Sequence, residues 1–139
     1  ISNDFVIYDT DDQLALIKKI FKDYGIDPKK IKHKAALNAI SGAKTELISP
    51  AEYAEIAAGY FPRTVAKIYP EYQKRLRKNN AMDFDDLLVE LVHLYEQNPQ
   101  ILNKYQQFFN RLYFYTSTEF QSNSSSSNLL SSLLITLVR

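Results

Sequence analysis

Helix-start signals recur along this chain, and few folds other than a helical assembly can accommodate them. Thr10-Asp11-Asp12-Gln13 has the spacing of a capping box, in which the Thr10 hydroxyl accepts a backbone amide and Gln13 reaches back. Leu14, Ile17, Ile20, Phe21 and Tyr24 follow at helical spacing, and Gly25 is the predicted stop. Asp27-Pro28 is predicted to start a second helical piece anchored by Ile31. A helix from about Lys34 to Leu47 would turn Leu37, Ile40 and Leu47 to the core. Ser49-Pro50-Ala51-Glu52 is another capping box, and Pro62 opens the longest helix, to about Asn79. In that helix Val65, Ile68, Tyr69, Tyr72 and Leu76 form one apolar stripe, and Pro70 is predicted to kink it. Asp83 caps a helix from Phe84 to about Gln97 whose buried side is Leu87, Leu88, Leu91 and Tyr95, and Asn98-Pro99 starts another through about Phe108. Leu112-Tyr113-Phe114-Tyr115 then changes to strand-like residues. The expected fold is mainly α: an irregular helical bundle with a short strand near the C-terminal end. The helices differ in length and cap chemistry, which argues against a repeat array.

The residue inventory removes several kinds of chemistry. There is no cysteine, so disulfides and thiolate chemistry are excluded. His33 and His93 lack zinc-ligand spacing, and Gly25, Gly42 and Gly59 are too scattered for a phosphate-cradling loop. Asp83, Asp85 and Asp86 resemble a metal cluster, but a helix cap, a favourable charge at the helix start, and pairing of Asp85 with a nearby base account for them; no metal site is expected. No apolar run approaches the roughly 18 residues of a membrane span, and the acidic start (Asp4, Asp9, Asp11, Asp12) is unlike a secretory signal. A chain without membrane association, in the cytoplasm, is the expectation.

Charge is more informative in its distribution than in its sum, a formal +1. Lys29, Lys30, Lys32, Lys34 and Lys44 form one basic block, and Arg63, Lys67, Lys74, Arg75, Arg77 and Lys78 another, with Glu71 as the one acid among them. Acid-rich stretches at residues 1–12 and 81–96 alternate with these blocks. Such blocks are either solvated helix faces that pair with one another or surfaces that neutralise phosphates. Composition leaves both open. The 10 tyrosines and 8 phenylalanines read mostly as core, Phe21, Tyr69, Tyr72, Phe84 and Tyr95 among them, rather than as stacking platforms.

Several strings then occur together and in order: Phe5-Val6-Ile7-Tyr8-Asp9-Thr10-Asp11-Asp12-Gln13, Asp27-Pro28-Lys29-Lys30, Ile40-Ser41-Gly42-Ala43-Lys44, Val65-Ala66-Lys67-Ile68-Tyr69, Tyr72-Gln73-Lys74-Arg75-Leu76, Asn79-Asn80-Ala81-Met82-Asp83-Phe84-Asp85-Asp86-Leu87-Leu88 and Tyr105-Gln106. Over about residues 5–114 the chain resembles the 1B subdomain of the UvrD/PcrA/Rep-type superfamily 1A DNA helicases. The resemblance implies a mostly helical insertion in the first RecA-like domain of an ATP-driven 3′-to-5′ translocase, lying beside the DNA. It implies ATP and magnesium as cofactors of the parent enzyme and none in this piece. It also implies, as partners, DNA as duplex or duplex/single-strand junction and the remainder of the helicase chain, and a bacterial nucleoid-associated location.

The family's Walker A loop precedes this region. The acidic pair of its Walker B strand aligns either with Tyr115 and Thr116 or, after an insertion, with Thr118 and Glu119, so the magnesium aspartate has no counterpart. No catalytic residue is therefore expected here. On this reading residues 1–111 are the helical subdomain, 112–121 a remnant of the Walker B strand region, and 122–139 a Ser/Asn-rich linker and apolar tail with no functional signal. The expected DNA-binding residues are Lys29, Lys30, Lys32, Lys34, Ser41 and Lys44, the lysines as mobile charges and Ser41 as a hydroxyl donor to the backbone. The competing reading is a non-enzymatic helical interaction module whose basic blocks meet acidic partners.

Overall fold

The structure, a computed structural model, describes residues 4–107. The chain divides into two compact units, Ile1–Glu90 and Leu91–Arg139. The first carries β1 (Val6–Tyr8), α1 (Thr10–Asp23), α2 (His33–Thr45), α3 (Pro50–Ile56), α4 (Tyr60–Lys78), β2 (Ala81–Asp83) and the start of α5 (Phe84–Gln97). Residues 99–107 are helical in the second. The mainly helical fold read from the sequence is what forms. The segments 112–121 and 122–139, with the expected strand at 112–115, lie outside the described residues.

The helix boundaries follow from local chemistry, sometimes one residue away from expectation. The N-cap of α1 is Asp9 rather than Thr10: its carboxylate accepts the Asp11 and Asp12 amides at 2.9 Å each, and Asp12 returns the bond to the Asp9 amide. A carboxylate held against two amides outcompetes the neighbouring hydroxyl. Gln13 is thereby freed to turn inward, where its side-chain amide donates to the Tyr8 carbonyl at 3.1 Å. Gly25, with φ +61°, closes α1 in a Schellman turn: Gly25 N–H donates to Lys22 O and Ile26 N–H to Phe21 O.

The same turn ends α2, but there the left-handed position is held by Leu47, with φ 58°. Leu47 is therefore exposed and does not enter the core as its spacing suggested. Asp27-Pro28 starts a turn, not a helix: Lys30 and Ile31 amides both donate to Asp27 O, and the Lys29 amide to its carboxylate. Ser49 and Glu52 form the expected reciprocal cap of α3. Asn80, at φ 49°, ends α4 and turns the chain into β2.

α4 organises the first unit. It continues through Pro70, whose ring faces solvent, so the acceptor it leaves unpaired can meet water. Its apolar stripe (Val65, Ile68, Tyr69, Tyr72, Leu76) is buried throughout, as its spacing requires. α1 packs against α2 and α4, and α2 and α3 also pack on α4. Ile17, Ile20 and Phe21 of α1 and Ala36, Leu37 and Ile40 of α2 complete the core. Each large aliphatic side chain there contributes about 1.5–3 kcal/mol by leaving water.

β1 and β2 form a two-stranded parallel sheet, with Val6 opposite Ala81, Ile7 opposite Met82 and Tyr8 opposite Asp83. Neither strand was expected, since three-residue strands leave no measurable periodicity.

Along α5 the expected burial fails in part. Tyr95 is buried and lies 5.9 Å from the Tyr105 ring, but Phe84, Leu88 and Leu91 are 59%, 57% and 40% exposed. A period of 3.6 says which residues share a face; it does not supply a partner for that face. No helix among the described residues is long and apolar enough to cross a membrane.

Candidate nucleic-acid interface

Two very different environments receive the lysines of the first basic block. Lys29 and Lys30 stand in the turn after α1, Lys32 is the N-cap of α2 and Lys34 lies in its first turn. All four side chains are exposed and make no ion pair among the described residues. Lys32 provides no side-chain cap, and the first turn of α2 has no acid. Cations there oppose the helix dipole, so helix stability does not account for them. Ser41 is half-buried seven residues after Lys34, which puts the two on one face of α2, about 10 Å apart along its axis. His33, between the lysines, packs its ring 4.7 Å from Phe21 and is part of the wall of the core.

Lys44 is not on that surface. It is 2% exposed, and its Nζ lies 2.6 Å from Asp83 Oδ2 and 2.8 Å from Asp86 Oδ1. The Tyr72 hydroxyl donates to the same Asp83 oxygen at 2.8 Å, and the Lys44 ammonium stands 5.1 Å from the centre of the Tyr72 ring. Asp83 Oδ1 accepts the Asp86 amide at 2.8 Å, so one residue caps α5 and holds the buried cation. Gln73 Nε2 donates to Asp86 Oδ1 at 2.9 Å. The base that the acidic cluster was expected to meet is thus Lys44, through Asp83 and Asp86 rather than Asp85. The placement of Lys44 departs from its expected role as an exposed phosphate contact. A lysine one turn from the exposed end of α2 looks identical in sequence; only the packing of α2 on α4 turns it inward.

Burial pushes the Asp83 carboxyl above the usual carboxylate range, against the opposing pull of Lys44. Burial, and then the nearby carboxylates, also raise the phenols of α4: Tyr69 is pushed up to about 12, and Tyr72 rises further, with Asp83 as its main charged neighbour. Tyr69 donates its hydroxyl to Ile48 O at 3.1 Å. Both phenols therefore keep their protons in the fold at a pH where an unfolded chain loses them. Stability is expected to fall as pH rises from about 10 to 12, with Tyr69 alone accounting for roughly 1–3 kcal/mol. Urea midpoints measured across that interval check it; an unchanged midpoint would mean the phenols are hydrated.

Among the described residues no group of three or more His, Asp or Glu is placed to hold an ion. The Asp83 and Asp86 oxygens already face a buried ammonium, which an incoming cation would have to displace.

In the second basic block Arg75 is consumed: it meets Asp23 of α1 at 2.7 Å and Glu71 at 2.8 Å. Arg63, Lys67, Lys74, Arg77 and Lys78 stay on the solvent side of α4, where among the described residues only Lys74 has an acid nearby, Glu71 at 3.8 Å.

Residues 1–136 match the family model for the UvrD/REP helicase N-terminal domain. The chain belongs to the UvrD/REP helicase family. Its UvrD/REP sequence is 43% identical over 109 residues to the ATP-dependent DNA helicase PcrA of Bacillus subtilis, covering 78% of this chain and 15% of that protein. It is 39% identical over the same length to PcrA of Staphylococcus aureus strain NCTC 8325, with the same coverage of both chains. It is 34% identical over 113 residues to PcrA of Leuconostoc citreum, covering 81% of this chain and 15% of that one. The UvrD/REP chain thus spans about 15% of the length of the curated relatives it matches.

Proposed function

We propose that this chain is the helical 1B portion of an ATP-dependent 3′-to-5′ DNA helicase and that it contributes sequence-independent contact with the phosphate backbone of duplex DNA. The observation that carries the reading is the cluster of exposed cations Lys29, Lys30, Lys32 and Lys34 around the start of α2, which make no ion pair among the described residues and serve neither the core nor the helix dipole. Ser41, on the same face, adds a hydroxyl within one strand's reach. Lys44 takes no part in contact and instead holds α2 in place. The relatives' name, ATP-dependent DNA helicase, supports the assignment of the motor function to the whole protein.

ATP and magnesium belong, on this reading, to the rest of the helicase chain. At Asp83 and Asp86 a magnesium ion would compete with the Lys44 ammonium, which contacts both carboxylates. The remainder of that chain and a duplex or duplex/single-strand junction are its partners, and the bacterial nucleoid is its place of action.

Binding of this kind works by releasing counterions from the phosphates. If each of the four lysines neutralises about one phosphate, they contribute about −3.6 to the slope of log affinity against log salt. Anisotropy of a labelled duplex over a salt series measures it. The variant K29E/K30E/K32E/K34E should lose that part of the slope and most of its affinity while keeping wild-type helix content. Equal binding by variant and wild type would favour an acidic protein partner for these lysines and sink the proposal.

A further inference from the structure

The solvent face of α4 has no use that the fold explains. Arg63, Lys67, Lys74, Arg77 and Lys78 fall within about a third of the helix circumference, opposite the buried stripe, over roughly 22 Å. Cations in the last turn complement the helix dipole, which covers Arg77 and Lys78. Arg63 lies in the first turn, where the dipole opposes it and no acid stands beside it. Arg63 with Lys67, and Lys74 with Lys78, are like charges four residues apart, which weakens a helix. The face therefore persists at a cost to α4. Beside it, Ser49, Pro50, Ala51, Pro70, Gln73, Lys74 and Arg77 line a groove of about 530 Å³ between α3 and α4, so two of the cations edge a concave surface.

We propose that this face and groove are a second nucleic-acid surface, distinct from the lysines around α2, on which the five cations grip a sugar–phosphate backbone. The inference rests on the reading that the chain binds DNA, and it adds a separate place for a strand to lie. Charge complementarity selects the occupant. Protein partners anchor on buried aromatic and aliphatic groups with charge depleted at the centre; here Lys67, Lys74 and Arg77 surround the small exposed ring of Pro70, and Tyr60 at one end is the only exposed aromatic residue of α4. A single strand held for its bases would need several stacking rings, so the contact is with phosphate, in duplex or single strand alike.

The test uses the whole chain with a labelled duplex, a labelled single strand of the same length and polyglutamate as a competitor. Lys67→Gln, Lys74→Gln and Arg77→Gln are combined in one variant; all three side chains are exposed, so circular dichroism should be unchanged. The salt slope on DNA is expected to flatten by roughly 3, about 1 for each phosphate no longer neutralised, with affinity at low salt down at least about tenfold. The charge-retaining variant K67R/K74R/R77K should bind as wild type. Whichever of duplex and single strand loses more affinity identifies the strand form held. Should the glutamine variant keep the wild-type slope while K29E/K30E/K32E/K34E loses its own, the α4 face is idle and the DNA reading survives without it. Polyglutamate binding as tightly as DNA through the same three residues would make the face a site for acidic polypeptide and overturn the proposal.

Discussion

Replacing Lys44 with leucine should destabilise the first unit by about 3–5 kcal/mol, as expected when one partner of a buried ion pair is removed. The loss is not the strength of the bond itself. It is the cost of leaving Asp83 and Asp86 inside the protein with no cation, when Asp83 is 1% exposed. The deficit should therefore depend on pH in a definite direction. Below about pH 4, where carboxyls are protonated in the unfolded chain as well, the variant should approach wild type. Above that, Asp83 must either ionise uncompensated or hold its proton at the expense of stability. Adding Asp83→Asn and Asp86→Asn to Lys44→Leu should recover part of the loss, because neutral amides need no counter-charge. Denaturant unfolding of the three proteins at acid and neutral pH measures all of this. A change below about 1 kcal/mol for Lys44→Leu would place the group at the surface, where it could again meet a phosphate.

Tyr72→Ala should cost a similar amount, about 3–5 kcal/mol, but for a different reason. The ring is fully buried at the meeting of α4 with α1 and α2, and truncation leaves a cavity the rigid neighbours cannot fill. Tyr72→Phe separates the two functions of this side chain. It keeps the ring and removes the hydroxyl that donates to Asp83 at 2.8 Å. A loss of roughly 1.5–3 kcal/mol is expected, the usual worth of one hydrogen bond to a charged group, because Lys44 still holds the same Asp83 oxygen. Equal losses for both variants would mean that the hydroxyl, not the ring, carries the stability. Together with the Lys44 series, this experiment tests whether α2, α4 and the start of α5 are joined through one buried polar centre.

That centre also explains why two of the strings that carry the family resemblance are spaced as they are. Lys44 ends Ile40-Ser41-Gly42-Ala43-Lys44, and Asp83 and Asp86 lie in Met82-Asp83-Phe84-Asp85-Asp86, with Asp83 39 residues after Lys44 in the chain. By its composition the first string suits a DNA-contacting surface and the second a helix cap. The cap forms, and it is half of what the second string does. A carboxylate that caps a helix through one oxygen has the other free for a cation, and no local pattern says which cation arrives.

Local chemistry was legible because it needs only neighbours. The Ser49–Glu52 box, the Gly25 stop, the buried stripe of α4 and the exposure of Lys29, Lys30, Lys32 and Lys34 all follow from residues within one or two turns of each other. The left-handed Leu47, the strand pair of Val6–Tyr8 with Ala81–Asp83, the exposed Leu88 and the inward Lys44 depend on elements far away in sequence. The amino-acid order by itself determined that this chain is a helical member of its family with two cationic blocks. Which of those cations face water and which is locked between carboxylates was decided by tertiary packing, because burying a charge is tolerable only where opposite charges from distant segments are brought to meet it.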